Sequence, residues 1–275
     1  MKLFIFPGTS YSIGYGLDEN VVASFKNTFE QEGVRFVHLE TLDELSEVIY
    51  KIKHLVGVFF NVSSPEMLQI QDAMNQIDTY KYFGEIDIDQ TKNHASSAIN
   101  WHIPPRLGEL AAFSCNFIYS SIFPSLDVTF TETKNEKPDD YQFLVQCDTR
   151  AFPFAGRCFI YANSEKLKQE DMSFSDFDVE LLTDGFKEFA NQYLGIVNHN
   201  LLELGYSPKI GLPSIFSKDE SAKLRNTGLA IPFVNIMDEK GCFYIRLGFV
   251  NENGGDKLDL EKMILSKPDN EISFF

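Results

Sequence analysis

Strand-like and helix-like patterns alternate through the first third of the chain. Lys2 to Phe6 (KLFIF) is a short apolar run of the kind that forms a buried strand, and the Gly- and Ser-containing stretch after it reads as a loop. Apolar residues then recur at helical spacing from about Asp18 to Gln31, with Gly33 as a stop. Val34 to Leu39 predicts a second strand, and Thr41 to Lys53 a second helix with Thr41 as its cap. Val56 to Val62 predicts a third strand, and Ser64-Pro65 opens a third helix, EMLQIQDAMNQI. Strands and helices joined by short connections imply a small parallel α/β unit of flavodoxin or receiver type over residues 1–92.

From Glu85 to Pro105 the periodicity fades and turn residues dominate, so residues 93–104 are read as a linker. His94 and His102 lie here without a third ligand nearby, and with Trp101 they are expected to pack the linker against a domain. A second domain is read over 105–252. It opens with a helix at Leu107 to Ile122, followed by extended segments at Asp127 to Thr133, Phe143 to Asp148 and Gly156 to Ala162. A short helical piece at Glu165 to Glu170 precedes one long helix, Ser175 to Gly205, with Ser175 as cap and Pro208 beyond its end. Three more strands follow, near Lys209 to Phe216, Leu229 to Met237 and Cys242 to Val250. Residues 253–275 read as a polar tail that docks loosely.

The composition is that of a globular chain: 44% hydrophobic, 23% charged, with 26 Phe. A formal net charge of -16 argues against binding a phosphate backbone, which needs clustered Lys and Arg, so no nucleic-acid partner is expected. Four separated cysteines without metal-ligand spacing are expected to be buried free thiols, which suits a reducing, cytoplasmic setting; no metal site is assigned. No apolar run approaches the length that spans a bilayer, and membrane insertion is not expected. The N-terminal unit is read as a degenerate receiver: its third strand ends at Asn61 in place of a phosphorylatable Asp, and its first runs into Phe6-Pro7-Gly8-Thr9 without an acidic pair. The glycines between Gly8 and Gly16 match no phosphate-binding fingerprint and lack a Walker Lys.

The long helix carries the candidate chemistry. At about 100° per residue, Leu182, Phe186, Phe189, Tyr193, Ile196 and Val197 fall on one side, which reads as core. Asp184, Glu188, Asn191 and Gly195 fall opposite, within a stripe roughly 60° wide. Asn and Gly are poor helix formers in mid-helix, Gly by about 1 kcal/mol against Ala, so solubility alone is a weak reason for them. The stripe reads as a face against which a partner docks, with a plain solvated face as the alternative. A faint duplication accompanies it: GELAA (Gly108 to Ala112) in the first helix parallels KEFAN (Lys187 to Asn191) in the second, with Ala112 where the second copy has Asn191.

The spacing Asp184-x3-Glu188-x2-Asn191, then Gly195 and the more distant Pro213 in GLPSIF, resembles the CheC/CheX/FliY family of response-regulator phosphatases. The gap before Pro213 is about one residue shorter than usual. The resemblance covers Pro105 to Val250, and one motif-bearing helix makes it look like CheX. It implies an α+β domain with the long helix on a mostly antiparallel sheet, behind the receiver-like unit. It also implies hydrolysis of the aspartyl phosphate of a CheY-like regulator in chemotaxis or two-component signalling. Asn191 would orient the attacking water and Glu188 would pair with the regulator's Lys, with Asp184 and Gly195 aiding docking and Pro213 structural. The chain itself would bind no cofactor, Mg²⁺ belonging to the phosphorylated partner, and a homodimer is suggested. A non-enzymatic signalling or scaffold module that binds a regulator or dimerises is the other class of reading.

Overall fold

The computed structural model describes residues 9–49, 51–52, 54–61, 74, 79–122, 129–133, 138–170, 179–221, 231–251 and 257–268. The chain divides into two compact units: the described residues up to 103 together with 231–232, 250–251 and 257 form the first, and the remaining described residues form the second.

The first unit is built on a parallel four-stranded sheet in the order β2-β1-β3-β4, from β1 (Ser10–Tyr15), β2 (Val34–Leu39), β3 (His54–Phe60) and β4 (Tyr80–Phe83). The stretch read as a strand-to-helix loop therefore contains the central strand, while the run expected to form the first strand, residues 2–6, lies outside the described residues. Composition hid β1 because its neighbours demand small residues. Gly14 packs against Phe36 and Leu17 so closely that an added Cβ would lie 2.5 Å from Phe36 Cζ. Ser12 is buried and donates its hydroxyl to the Gly57 carbonyl at 3.1 Å, which satisfies it between strands.

Helix α1 (Glu19–Gln31) starts where the Asp18 carboxylate accepts the backbone N–H groups of Asn20 and Val21, at 2.9 and 3.0 Å. Val21, Phe25 and Phe29 form its buried stripe, and Gly33 follows it at φ 74°. An acidic pair, Asp18 and Glu19, thus does follow the first described strand, contrary to the sequence reading, but Asp18 is committed to capping. The third strand ends at Phe60, directly followed by Asn61, whose N–H donates to the Tyr15 carbonyl at 3.0 Å. Helix α2 (Leu42–Ile49) lies between β2 and β3; the expected third helix falls outside the described residues apart from Met74, which is helical and buried.

The segment read as a linker is a helix, α3 (Thr91–Trp101), packed within the first unit. Its buried positions are Thr91, Ala95 and Ala98, at i, i+4 and i+7. Ala and Thr give little hydropathy signal, yet the fit is close: the Ala98 Cβ sits 2.9 Å from where a Cβ on Gly57 would be, so position 57 has to lack a side chain. His94 lies against the Tyr82 ring with centroids 4.0 Å apart, and His102 Nε2 is 2.9 Å from the Val56 carbonyl.

The second unit places two long helices on a seven-stranded sheet, ordered β5-β10-β11-β7-β6-β8 with β9 also on β6. Its strands are β5 (Phe130–Glu132), β6 (Phe143–Ala151), β7 (Phe154–Ala162), β8 (Pro208–Ile210), β9 (Ser214–Ser217), β10 (Phe233–Asp238) and β11 (Phe243–Asn251). The single strand expected over Lys209 to Phe216 is two, because Pro213 has no N–H for the ladder. Ile210 pairs with Thr149 and Ser214 with Gln146, so four steps on one strand meet three on the other.

Helix α4 (Leu107–Ile122) coincides with its sequence reading; α5 (Ser164–Glu170), α6 (Val179–Glu203) and the one-turn α7 (Lys218–Ser221) are the unit's other described helices. The expected cap Ser175 lies outside the described residues. Phe243 sits at the centre of the helix–sheet contact, stacked on Phe189 at 5.1 Å and edge-on to Tyr119 and Phe186 at 5.7 and 5.8 Å. The tail is an integral part of the unit. Leu258, Leu260 and Met263 are buried, Ser266 bonds to Asn200 of α6, and the Lys267 ammonium lies 4.8 Å from the ring centroid of Phe117 in α4. Alternation of apolar and polar residues is too short there to signal a helix or strand, so the segment read as a loose polar tail.

Candidate functional site

Helix α6 is held against the core along one side. Leu182, Phe186, Phe189, Ala190, Tyr193, Leu194, Ile196, Val197 and Leu201 are all buried, as the periodicity predicted for its apolar side. At its end Tyr206 N–H donates to the Leu201 carbonyl and Gly205 N–H to that of Leu202, at 3.1 and 2.8 Å, with Gly205 at φ 86°. This is the Schellman arrangement, in which only a residue comfortable at positive φ closes the helix.

Polar residues near the helix end make tertiary contacts. Asn198 accepts the Thr149 hydroxyl at 3.2 Å across to β6. His199 Nε2 lies 3.1 Å from Ser266 Oγ. The fully buried Asn200 meets the tail backbone in both directions: its amide donates to the Ser266 carbonyl at 3.1 Å, and Ser266 N–H donates back to its Oδ1 at 2.9 Å. These bonds fix the rotation of α6 about its axis and therefore what it shows to solvent.

The solvent side carries the four motif residues. Asp184 is exposed, while Glu188, Asn191 and Gly195 are half-buried. From Asp184 to Gly195 the stripe runs about 16 Å along the axis. Its three polar side chains are in different states. Asp184 pairs with Lys187 at 3.2 Å. Glu188 accepts a hydrogen bond from Gln192 Nε2 at 2.7 Å. The Asn191 amide has no hydrogen-bond partner among the described residues, so its donor and acceptor both remain available. Gly185 has open space where a side chain would be, with nothing within 4 Å of an added Cβ, and exposed Leu181 borders it.

The faint duplication is visible in the packing. Aligning Glu109 with Glu188 places buried Leu110, Ala111, Cys115 and Ile118 of α4 over buried Phe189, Ala190, Leu194 and Val197 of α6. The solvent sides then differ. Ala112 stands for Asn191, and Glu109 is taken by Arg106 at 3.0 Å. Arg106 has φ 65°, and its Nη1 also donates to the carbonyls of Leu260, Glu261 and Met263 at 3.3, 3.1 and 2.8 Å. Asn116, at the position of Gly195, is spent on the backbone of Phe130, donating to its carbonyl and accepting its N–H at 3.1 and 2.7 Å.

No protein-family model matches the sequence, and no curated protein matches it. Several solved structures are similar to this chain over about half of its length. A chemotaxis protein CheX from Vibrio vulnificus is 15% identical with a TM-score of 0.41, covering 53% of this chain and 97% of its own. The CheX-CheY-BeF3-Mg²⁺ complex from Borrelia burgdorferi is similar at 13% identity and TM-score 0.37, over 51% and 96% of the two chains. A CheC-like superfamily protein from Shewanella sp. PV-4 has 18% identity and TM-score 0.36, over 52% and 98%.

All four cysteines are free and buried; burial pushes the Cys147 thiol up to about 11 and Cys242 to about 12, which leaves them protonated and inert at neutral pH. Among the described residues no group of three His, Cys, Asp or Glu side chains gathers to hold a metal, and no helix is long and apolar enough to cross a membrane. Sequence reasoning passed over Gln192 and Lys187. The signal was present, since Gln192 stands four residues beyond Glu188 and Lys187 three beyond Asp184, the separations at which helical side chains meet.

Proposed function

We propose that the C-terminal unit accelerates hydrolysis of the aspartyl phosphate of a CheY-like response regulator. Water attacks phosphorus in line, the bond from phosphorus to the Asp oxygen breaks, and inorganic phosphate leaves a regenerated carboxylate. Little covalent work falls to a catalyst in such a reaction; positioning and electrostatics carry it. Mg²⁺ and a Lys belong to the regulator. Asn191 supplies what remains, with Oδ1 accepting a hydrogen bond from the attacking water and so orienting it, and the uncharged amide adding no repulsion beside the phosphoryl oxygens. Glu188 registers the complex by pairing with the regulator's Lys, and Asp184 lies beside it.

The observation that carries this reading is the unpartnered Asn191 amide, half-exposed at the middle of a helix whose rotation is fixed by the core and by the tail. The test is phosphate release from purified CheY-type regulators charged with acetyl phosphate and Mg²⁺. The full-length chain is expected to speed the loss of phosphate. Asn191→Ala is expected to remove about 100-fold or more of the acceleration, the cost of deleting one positioned polar group, with the fold intact by circular dichroism. Binding with no acceleration for any regulator would instead identify a docking module without turnover.

A further inference from the structure

We infer that Gln192 is a positioning residue for Glu188, holding its carboxylate ready for a cation on the partner. This rests on the docking reading of α6 and extends it to a residue that the family-like spacing leaves out. Of the two carboxylates on the face, Asp184 is already matched by a cation, Lys187, at 3.2 Å. Glu188 is held at 2.7 Å by a neutral amide, and with a carboxylate as acceptor it is the NH₂ end of Gln192 that faces it. The bond orients Glu188 without neutralising it and leaves Oε2 to a partner. A glutamate loses much rotamer freedom when it is clamped. A bond that orders it in the free protein lowers what docking has to supply.

The chemistry of position 192 therefore decides between a pinned anion and a neutralised one. With Lys at 192, Glu188 would face a cation four residues on, the favourable helical order for such a pair, and would resemble Asp184 with Lys187. That substitution should keep or raise helix stability while weakening docking. A role confined to helix stability makes the opposite forecast.

The experiment is a titration of phosphate release against regulator concentration, using the full-length chain and CheY-type regulators charged with acetyl phosphate and Mg²⁺. Gln192→Ala is expected to raise the half-saturating concentration roughly three- to tenfold, with the saturated rate kept. Gln192→Lys is expected to raise it further, although its thermal midpoint does not fall. Once Glu188→Gln has removed the charge, adding Gln192→Ala should have no further effect. If the wild type accelerates release but Gln192→Ala titrates like wild type, or Gln192→Lys docks as well as wild type, the positioning role is wrong and the phosphatase reading stands. A wild type that accelerates release from no regulator overturns both.

Discussion

Asn200→Ala tests how firmly the C-terminal segment fastens α6. Asn200 is fully buried and makes two hydrogen bonds to Ser266, one in each direction, at 3.1 and 2.9 Å, besides a third to the Ile196 carbonyl at 2.9 Å. Alanine at 200 strands both backbone groups of Ser266. With about 1 to 1.5 kcal/mol for each lost bond, the strap should loosen by about 2 to 3 kcal/mol. That corresponds to a rise of about 30- to 150-fold in its opening constant. Trp101, the sole tryptophan, lies in the other unit with the Lys257 ammonium 4.4 Å from its ring centroid, so its fluorescence does not report on the Ser266 end of the strap. Amide hydrogen exchange read by mass spectrometry on peptides covering 257–268 does. Uptake there should accelerate by that factor while peptides from β6 and β7 keep their protection. Unchanged uptake in the variant, or a wild-type strap that exchanges at the rate of an unstructured peptide, would refute the reasoning.

Gly14→Ala should destabilise the first unit by about 1 to 3 kcal/mol or more, because the new methyl meets Phe36 and Leu17 at 2.5 and 2.6 Å in a strand buried on both faces; a lowered denaturation midpoint by Trp101 fluorescence is the readout. The same unit should lose stability as the pH falls through 6.5. Burial lowers the His94 pKa, and burial and then Lys26 lower that of His38, so both imidazoles are neutral in the fold and take up protons more readily when unfolded. Their contribution is complete above the unfolded value near 6.5 and is lost toward the lower folded values. A Trp101 midpoint at pH 5.5 equal to that at pH 7.5 would contradict this, and replacing both histidines by Gln should flatten the dependence.

How legible the molecule was in its sequence depended on the size of the buried side chains. Helices with Phe, Leu and Ile stripes, α1, α4 and α6, were readable by periodicity, as was β2 to the residue. Elements whose packing requires small residues were not. Strand β1 alternates buried Ser and Gly with the core residues Tyr11 and Ile13, and α3 is buried through Thr and Ala, so each looked like loop or linker. Among the described residues of the tail three apolar anchors are buried, and the partners that fix it, Arg106 and Asn200, lie far away in sequence. The face of α6 was legible as a stripe, but the pairing of its members was not. Which carboxylate is matched by a cation and which amide is left unbonded depends on side-chain rotamers.

Arg106 ties the asymmetry of the two long helices to the economy of the whole unit. Anyone wishing to give α4 a working copy of the α6 face would begin with Ala112→Asn, but Glu109 would still be saturated by its own neighbour. Freeing Glu109 means removing Arg106, and with it goes the guanidinium that gathers three carbonyls of the C-terminal strap. That strap also clasps the buried Asn200 in α6. A second docking face and a firm seat for the first thus compete for one side chain. In this chain symmetry between the two helices has been exchanged for rigidity in one of them.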